Sequence, residues 1–190
     1  MPGMFGAPFR VGGRVNDNKI QLYILSKDGK GKLTEQSSNL VKNNMVSYLS
    51  KFRMINDFIE INNAKVVNLS FEVDLLADKS FNSNEIKVSA LQQLKDYFNV
   101  NKWDLGQHVY IAQVTDILRE VPGVINVSGL RAYNLDGGIY SSTLISQANG
   151  NVQLLSGGVS SGAKRTEINF IDNAIYATPL SMFEVRYPDT

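Results

Sequence analysis

The chain contains no cysteine, one histidine, one tryptophan and five prolines. It also has no apolar run approaching the roughly 18 residues of a membrane-spanning helix. Without cysteine, disulfide scaffolds, thiolate metal sites and cysteine nucleophiles are excluded together, so stability has to come from packing or assembly. With His108 alone, a multi-histidine metal site within one chain is impossible, and any Ser-His-Asp triad would have to use that residue. Asp104 and Asp116 flank it at four and eight residues, but no nucleophile elbow or paired acid accompanies them. His108 therefore reads as an ordinary surface or helix-start histidine. An excess of one charge is missing as well, since 19 basic residues face 18 acidic ones for a formal net of +1. Nucleic-acid binding needs clustered Lys and Arg to replace phosphate counterions, and Arg119, Arg131, Lys164 and Arg165 are scattered. The opening MPGMFGAPFRVGG lacks the basic start and continuous apolar core of a signal peptide, so the chain reads as cytosolic when made. It fits a piece cut from a longer protein, the plainer alternative being a flexible native terminus.

What is present is a 190-residue chain, 43% hydrophobic, long enough for one substantial core. Its centre is residues 65–133. KVVNLSFEVDLL sets Val67, Leu69, Phe71, Val73 and Leu75 on one side and Asn68, Ser70, Glu72 and Asp74 on the other, which is a half-buried strand. Ile86, Ala90, Leu91, Leu94, Tyr97 and Phe98 then fall at helical spacing. Asn82 with Glu85 has the form of a helix N-cap and its reciprocal partner, placing that helix start near Ser83 and its end near Val100. After the WDLG turn, the run from Tyr110 to Val121 is again helical, although its first residues could form a short strand, and Pro122-Gly123 stops it. VINVSGLRAY returns to strand.

Around this centre, residues 1–18 carry Pro2, Gly3, Gly6, Pro8, Gly12 and Gly13 and suit an extended N-terminal arm. KIQLYILSKDGKGKL is a strand and turn. From Ser38, the residues Val41, Met45, Tyr48, Leu49 and Phe52 form one helix face, expected in the core. DFIEINNAKVVNLSFEVDLL reads as two strands joined by a hairpin at Asn62-Asn63. The order β-α-β-β-α-(α)-β defines an α+β fold with a ferredoxin-like split β-α-β core and an extra helix over residues 19–135. Residues 136–190 form a β-rich excursion rich in Gly, Ser and Asn, closed by a C-terminal strand, SMFEVRYP, at a sheet edge.

Several motifs suggest chemistry and do not complete it. NVQLLSGGVSSGAKR places Gly157, Gly158, Gly162 and Lys164 like a phosphate loop. Ala163 separates glycine from lysine, Arg165 stands where the magnesium-binding hydroxyl belongs, and TEINFIDNAIY alternates like a strand, so a Gly/Ser loop is the reading. Glu72 and Asp74 share a strand face as an acid-base pair would, but such pairs are more often solvated or partner-facing. Trp103, near Tyr97 and Phe98, is read as a core plug at a helix-sheet corner, with an interface anchor as the alternative. No residue is singled out as catalytic, cofactor-binding or metal-binding.

The succession FGAPFRVGG, then NNMVSYLSKFRMINDFIEINNAKVVNLSFEVDLL, then ALQQLKDYFNVNKWDLGQHVYIAQVTDILREVPGVINVSGLRAYN, and finally MFEVRYP resembles the C-terminal part of baseplate-wedge proteins of contractile-tailed bacteriophages, relatives of the baseplate J-like family. The most specific element is the strand, helix, W-x-L-G, helix and P-G-V-x-x-V strand; residues 136–179 match least and suit a variable insertion. The resemblance implies a non-enzymatic structural subunit without cofactor. Its expected partners are other copies of itself, as a homo-oligomer in the ring, and other wedge and hub proteins, with no nucleic acid and no membrane. The expected location is the virion tail baseplate, assembled in the host cytoplasm. The arm 1–18 and the strand 182–187 are expected to pack against other subunits or missing regions of the same protein. The alternative is a receptor- or carbohydrate-binding tip module using loops 136–165, whose lone aromatic is Tyr140; an enzyme would need a pocket gathering His108 with carboxylates.

Overall fold

Apolar-polar alternation and helical periodicity sort the chain into two main sheets and a helical layer. A computed structural model describes residues 8–16, 19–52, 58–148, 151–157 and 162–186. The strands are β1 (Arg10–Asn16), β2 (Lys19–Lys27), β3 (Leu33–Thr34), β4 (Phe58–Asn63), β5 (Lys65–Ala77), β6 (Val109–Tyr110), β7 (Val124–Asp136), β8 (Thr143–Ala148), β9 (Asn151–Ser156), β10 (Lys164–Ile168), β11 (Ala174–Ile175) and β12 (Ser181–Val185). The helices are α1 (Asn39–Leu49), α2 (Ser83–Tyr97) and α3 (Ile111–Arg119), with a 3-10 turn at Val100–Lys102.

The first sheet has β2 at its centre, antiparallel to β1 and β3 and parallel to β4. The second runs β10-β7-β5-β8-β9, with β12 added parallel to the start of β5. Strands β6 and β11 form a small separate pair. Both α+β class and β-rich excursion are as the sequence implies. The partition of the strands differs from a single split β-α-β sheet. The unit β2-α1-β4 closes in the first sheet as a parallel pair, whereas β5-α2-α3-β7 closes in the second as an antiparallel one.

The cause lies at Asn62-Asn63, where no hairpin forms. A tight hairpin needs positive φ at its central residues, and neither asparagine has it. One residue, fully buried Ala64, separates β4 from β5, too few for the chain to reverse. The chain instead changes sheets: the Ala64 N–H donates to the Ile24 carbonyl at 2.9 Å, and the next N–H, of Lys65, donates to Leu180 at 2.9 Å. The positive-φ pair occurs at Asp172-Asn173, where Ile171 and Ala174 exchange both backbone hydrogen bonds across a tight turn.

The core lies between α2, α3 and one face of β5 and β7. Asn82 caps α2 by accepting the Asn84 N–H at 2.9 Å, and Ile86, Ala90 and Leu94 bury its inner stripe. In α3, Ile111, Val114 and Leu118 are buried. Each of these Ile, Leu and Val side chains contributes about 1.5–3 kcal/mol. Gly123 ends the α3 segment with φ +88°, and a Cβ there would meet Phe81 Cγ at 2.8 Å, so only glycine fits.

Three further expectations are corrected. The α1 face contributes only Met45 to the core; the Tyr48 and Phe52 rings meet at a tilt with centres 5.2 Å apart near the surface, with Phe52 71% exposed beyond the helix end. Helical period shows which residues share a face, but not whether a layer lies against it. The arm expected to pack on other subunits pairs with this chain's own β2 where it is described, Arg10–Asn16 forming β1, while residues 1–7 and 17–18 lie outside the described residues. Arg10 fixes β1 by pairing with Asp104 at 2.7 Å and donating to the carbonyls of Trp103 and Asn101. Finally, β12 lies at a sheet edge as expected, yet Ser181, Met182, Phe183 and Glu184 are all buried within this chain, so they are not a surface awaiting a partner. Tyr187 lies outside the described residues.

Candidate functional site

The face of the second sheet opposite the helices carries the polar half of the β5 alternation. Glu72, beside Arg131 in the β5-β7 register, accepts from Arg131 at 3.1 Å, from Arg165 of β10 at 2.9 Å and from the Tyr133 hydroxyl at 3.1 Å. Arg165 also lies over the Tyr133 ring, 3.6 Å from its centre, and Asp74 sits 3.6 Å from Arg131. The Tyr133 hydrogen bond, then the Arg131 charge, hold the Glu72 carboxyl below its usual range. Burial and the bond to Glu72 push the Tyr133 phenol up. Glu72 and Asp74 thus belong to an exposed charge network. Sequence spacing left Arg131 and Arg165 apart, and the antiparallel pairing of β7 with β10 brings them together.

A second polar cluster joins the two sheets. Buried Glu184 accepts the Leu33 N–H at 3.1 Å, the Asn68 amide at 2.9 Å and Arg186 Nε at 2.9 Å. Glu35 accepts the Val66 N–H at 2.9 Å and the Thr143 hydroxyl at 2.8 Å, and pairs with Lys65 at 3.1 Å. Asn68 also accepts the Ser141 N–H at 2.7 Å. Beside this cluster is a cavity of about 420 Å³ lined by Glu35, Asn68, Ile139, Tyr140, Ser141 and Arg186. Nothing in the sequence pattern signalled it, because its members come from β3 and the segment after it, β5, residues 139–143 and β12. Its carboxylates are consumed by structural donors, which makes it a strut between layers.

His108 and Trp103 take structural roles. His108 Nδ1 accepts the Ala177 N–H at 3.0 Å, and its ring lies 5.0 Å from Tyr176. Asp104 and Asp116, its sequence neighbours, are paired with Arg10 and Arg119. Trp103 is 3% exposed; its indole N–H donates to the Tyr97 carbonyl at 2.8 Å and its ring stacks on Phe98 at 5.5 Å. Lys164 and Arg165 open a strand in place of the helix that a phosphate loop requires, and Gly158 lies outside the described residues. Among the described residues, no three His, Asp or Glu side chains group as metal ligands, and no helix is long and apolar enough to cross a membrane. The arrangement offers contact surfaces: Leu40, Val46, Tyr48, Phe52 and Phe58 are exposed on and near α1, and Leu155 on β9.

No protein-family model matches the sequence, and neither does any curated protein. The fold does have a counterpart. The chain is similar to one in the cryo-EM structure of the anti-feeding prophage (AFP) baseplate, 6-fold symmetrised, with a TM-score of 0.52 and 13% identity. The match covers 96% of this chain and 34% of that one, so the chain spans about a third of its neighbour's length. At this identity the likeness is one of fold: an α+β architecture also found in a baseplate chain.

Proposed function

We propose that this chain is a structural component of the baseplate of a contractile tail, of the wedge type related to the baseplate J-like family. In this reading it builds the ring around the hub through contacts with copies of itself and with other wedge and hub proteins. It performs no catalysis, is assembled in the host cytoplasm and resides in the finished tail. The observation that carries the reading is the likeness to a baseplate chain over 96% of these residues, together with the independent sequence resemblance through the WDLG turn and the PGVINV strand. Protein-protein rings need sizeable, shape-matched surface and no reactive group, and the side chains described above are engaged structurally.

The test is genetic and direct. Tails purified from the producing bacterium should contain this protein by peptide mass spectrometry, and deleting its gene should leave tails without complete baseplates in electron micrographs. Complete baseplates in the deletion strain would overturn the proposal.

A further inference from the structure

The strands at the sheet edges of this fold are protected unequally. An edge strand exposes unpaired N–H and C=O groups, and proteins guard such edges with charge, proline, bulges or cover. In the first sheet, β1 carries Arg10 and Arg14, and β4 carries Glu60. In the second, β10 carries Lys164, Arg165 and Glu167, and β12 carries Glu184 and is buried over most of its length. Strands β3, β6 and β11 are two residues long, too short to offer much of an edge; the longer edge left without such protection is β9, which reads NVQLLS: no charge and no proline, paired to β8 through six consecutive residues without a register shift. Leu155 on this strand is 45% exposed.

The direction of its backbone groups follows from the ladder. The Gly157 N–H donates to the Ser142 carbonyl on the β8 side. Because N–H groups along a strand alternate in direction, residues 151, 153 and 155 also face β8. Val152, Leu154 and Ser156 therefore turn their N–H and C=O groups outward, and no described strand pairs with them.

We propose that β9 pairs antiparallel with β9 of a second copy about a two-fold axis, joining two six-stranded sheets into one. The inference deepens the baseplate reading by naming a self-contact, and rests on that reading only for its place in a ring. A second copy is the occupant because this strand complements itself: two-fold pairing opposes no like charges and covers Leu155. Pairing with β10 of another copy would instead set Lys164, Arg165 and Glu167 against a strand with no charge to answer them. With three outward residues per strand, the contact makes at most about six main-chain hydrogen bonds and falls below the roughly 1,200 Å² of standard interfaces. The isolated dimer is accordingly weak and concentration-dependent, and ring avidity would strengthen it.

The experiment is sedimentation equilibrium of the full chain from about 10 μM to about 1 mM, a range suited to weak association, with amide hydrogen exchange at both ends. The average mass should rise towards twice that of one chain and stop there, while exchange at Val152, Leu154 and Ser156 slows with concentration. Exposed-site variants Leu155→Lys and Ser156→Pro should stay monomeric with unchanged circular dichroism, and Leu155→Thr should still dimerise. A chain monomeric throughout, a mass growing beyond two copies, or a dimer showing no added protection at those three amides would overturn the proposal. Because the exchange measurement uses the parent protein, misfolding of a variant does not remove the test. Incorporation into tails is a separate readout: a chain absent from baseplates would sink the proposed function without touching the pairing, and a monomeric chain found in baseplates would do the reverse.

Discussion

Replacing Glu184 by alanine should be among the most damaging single changes to this fold. The carboxylate is 5% exposed and serves the Leu33 N–H, the Asn68 amide and Arg186 Nε, so its loss strands three donors where the two sheets meet. Removing one member of a buried ion pair costs about 3–5 kcal/mol. The Arg186 side chain is 13% exposed and can regain some water, which places the expected loss near the lower end, about 3 kcal/mol. Glutamine keeps the volume but turns an NH2 towards groups that are themselves donors, for a loss of about 1.5–3 kcal/mol. Against a typical domain stability of about 5–15 kcal/mol, either loss is readily measured. Urea unfolding followed by Trp103 fluorescence and circular dichroism reads it directly, provided the denaturant slope is unchanged. The double variant Glu184→Met, Arg186→Met should recover at least half of the loss, because apolar replacement of both partners leaves neither charge buried alone. A Glu184→Ala protein within about 1 kcal/mol of the parent would refute the view that this carboxylate ties the sheets together.

Trp103→Ala should cost about 3–5 kcal/mol in urea unfolding followed by circular dichroism alone, since the variant lacks the one tryptophan, empties a site against Phe98 and frees the Tyr97 carbonyl; a near-neutral result would show that the ring is not a core plug. Phe52→Ser should change stability by no more than about 0.5 kcal/mol, because the ring is mostly exposed, whereas a core role would make the loss several-fold larger. Glu60 is held down to about 2 from 4.5, first by the Lys19 ammonium that it accepts from and then by Gln21 and Asn62. A folded-state pKa below the unfolded one means a contribution present above about pH 4.5 and lost as pH falls towards 2. Urea midpoints measured from pH 6 down to pH 2.5 should therefore fall less steeply in Glu60→Gln than in the parent, and parallel curves would contradict the assignment.

Local features were the legible part of this sequence. The β5 alternation, the Asn82 cap, the Pro122-Gly123 stop and the Trp103 plug each depend on residues within a few positions of one another, and each forms where the pattern puts it. Features that failed to show required knowledge of what lies across space. Asn62-Asn63 and Asp172-Asn173 are equally suited to positive φ, yet only the second pair turns, because one intervening residue, Ala64, commits the first to changing sheets. The α1 period is real, but the first sheet leaves much of that face uncovered. The Glu184 strut draws on positions as far apart as Leu33 and Arg186, and the Glu72 network on Arg131 and Arg165, so no window of sequence contains either.

The distribution of charge bears on how such a part would assemble. Many of its carboxylates already have intramolecular partners: Glu72 holds two guanidiniums, Glu60 holds Lys19, Glu35 holds Lys65, and Asp104 holds Arg10. With a formal net charge of +1, little long-range field remains to steer a partner. Among the described residues, the neutral surfaces left open include the backbone edge of β9 with Leu155 and the aromatic rings of Tyr48, Phe52 and Phe58. Association through these surfaces would draw on main-chain pairing and apolar burial, terms that salt screens weakly. In the proposed ring, affinity would come from many modest, shape-defined contacts acting together, with no single charged anchor.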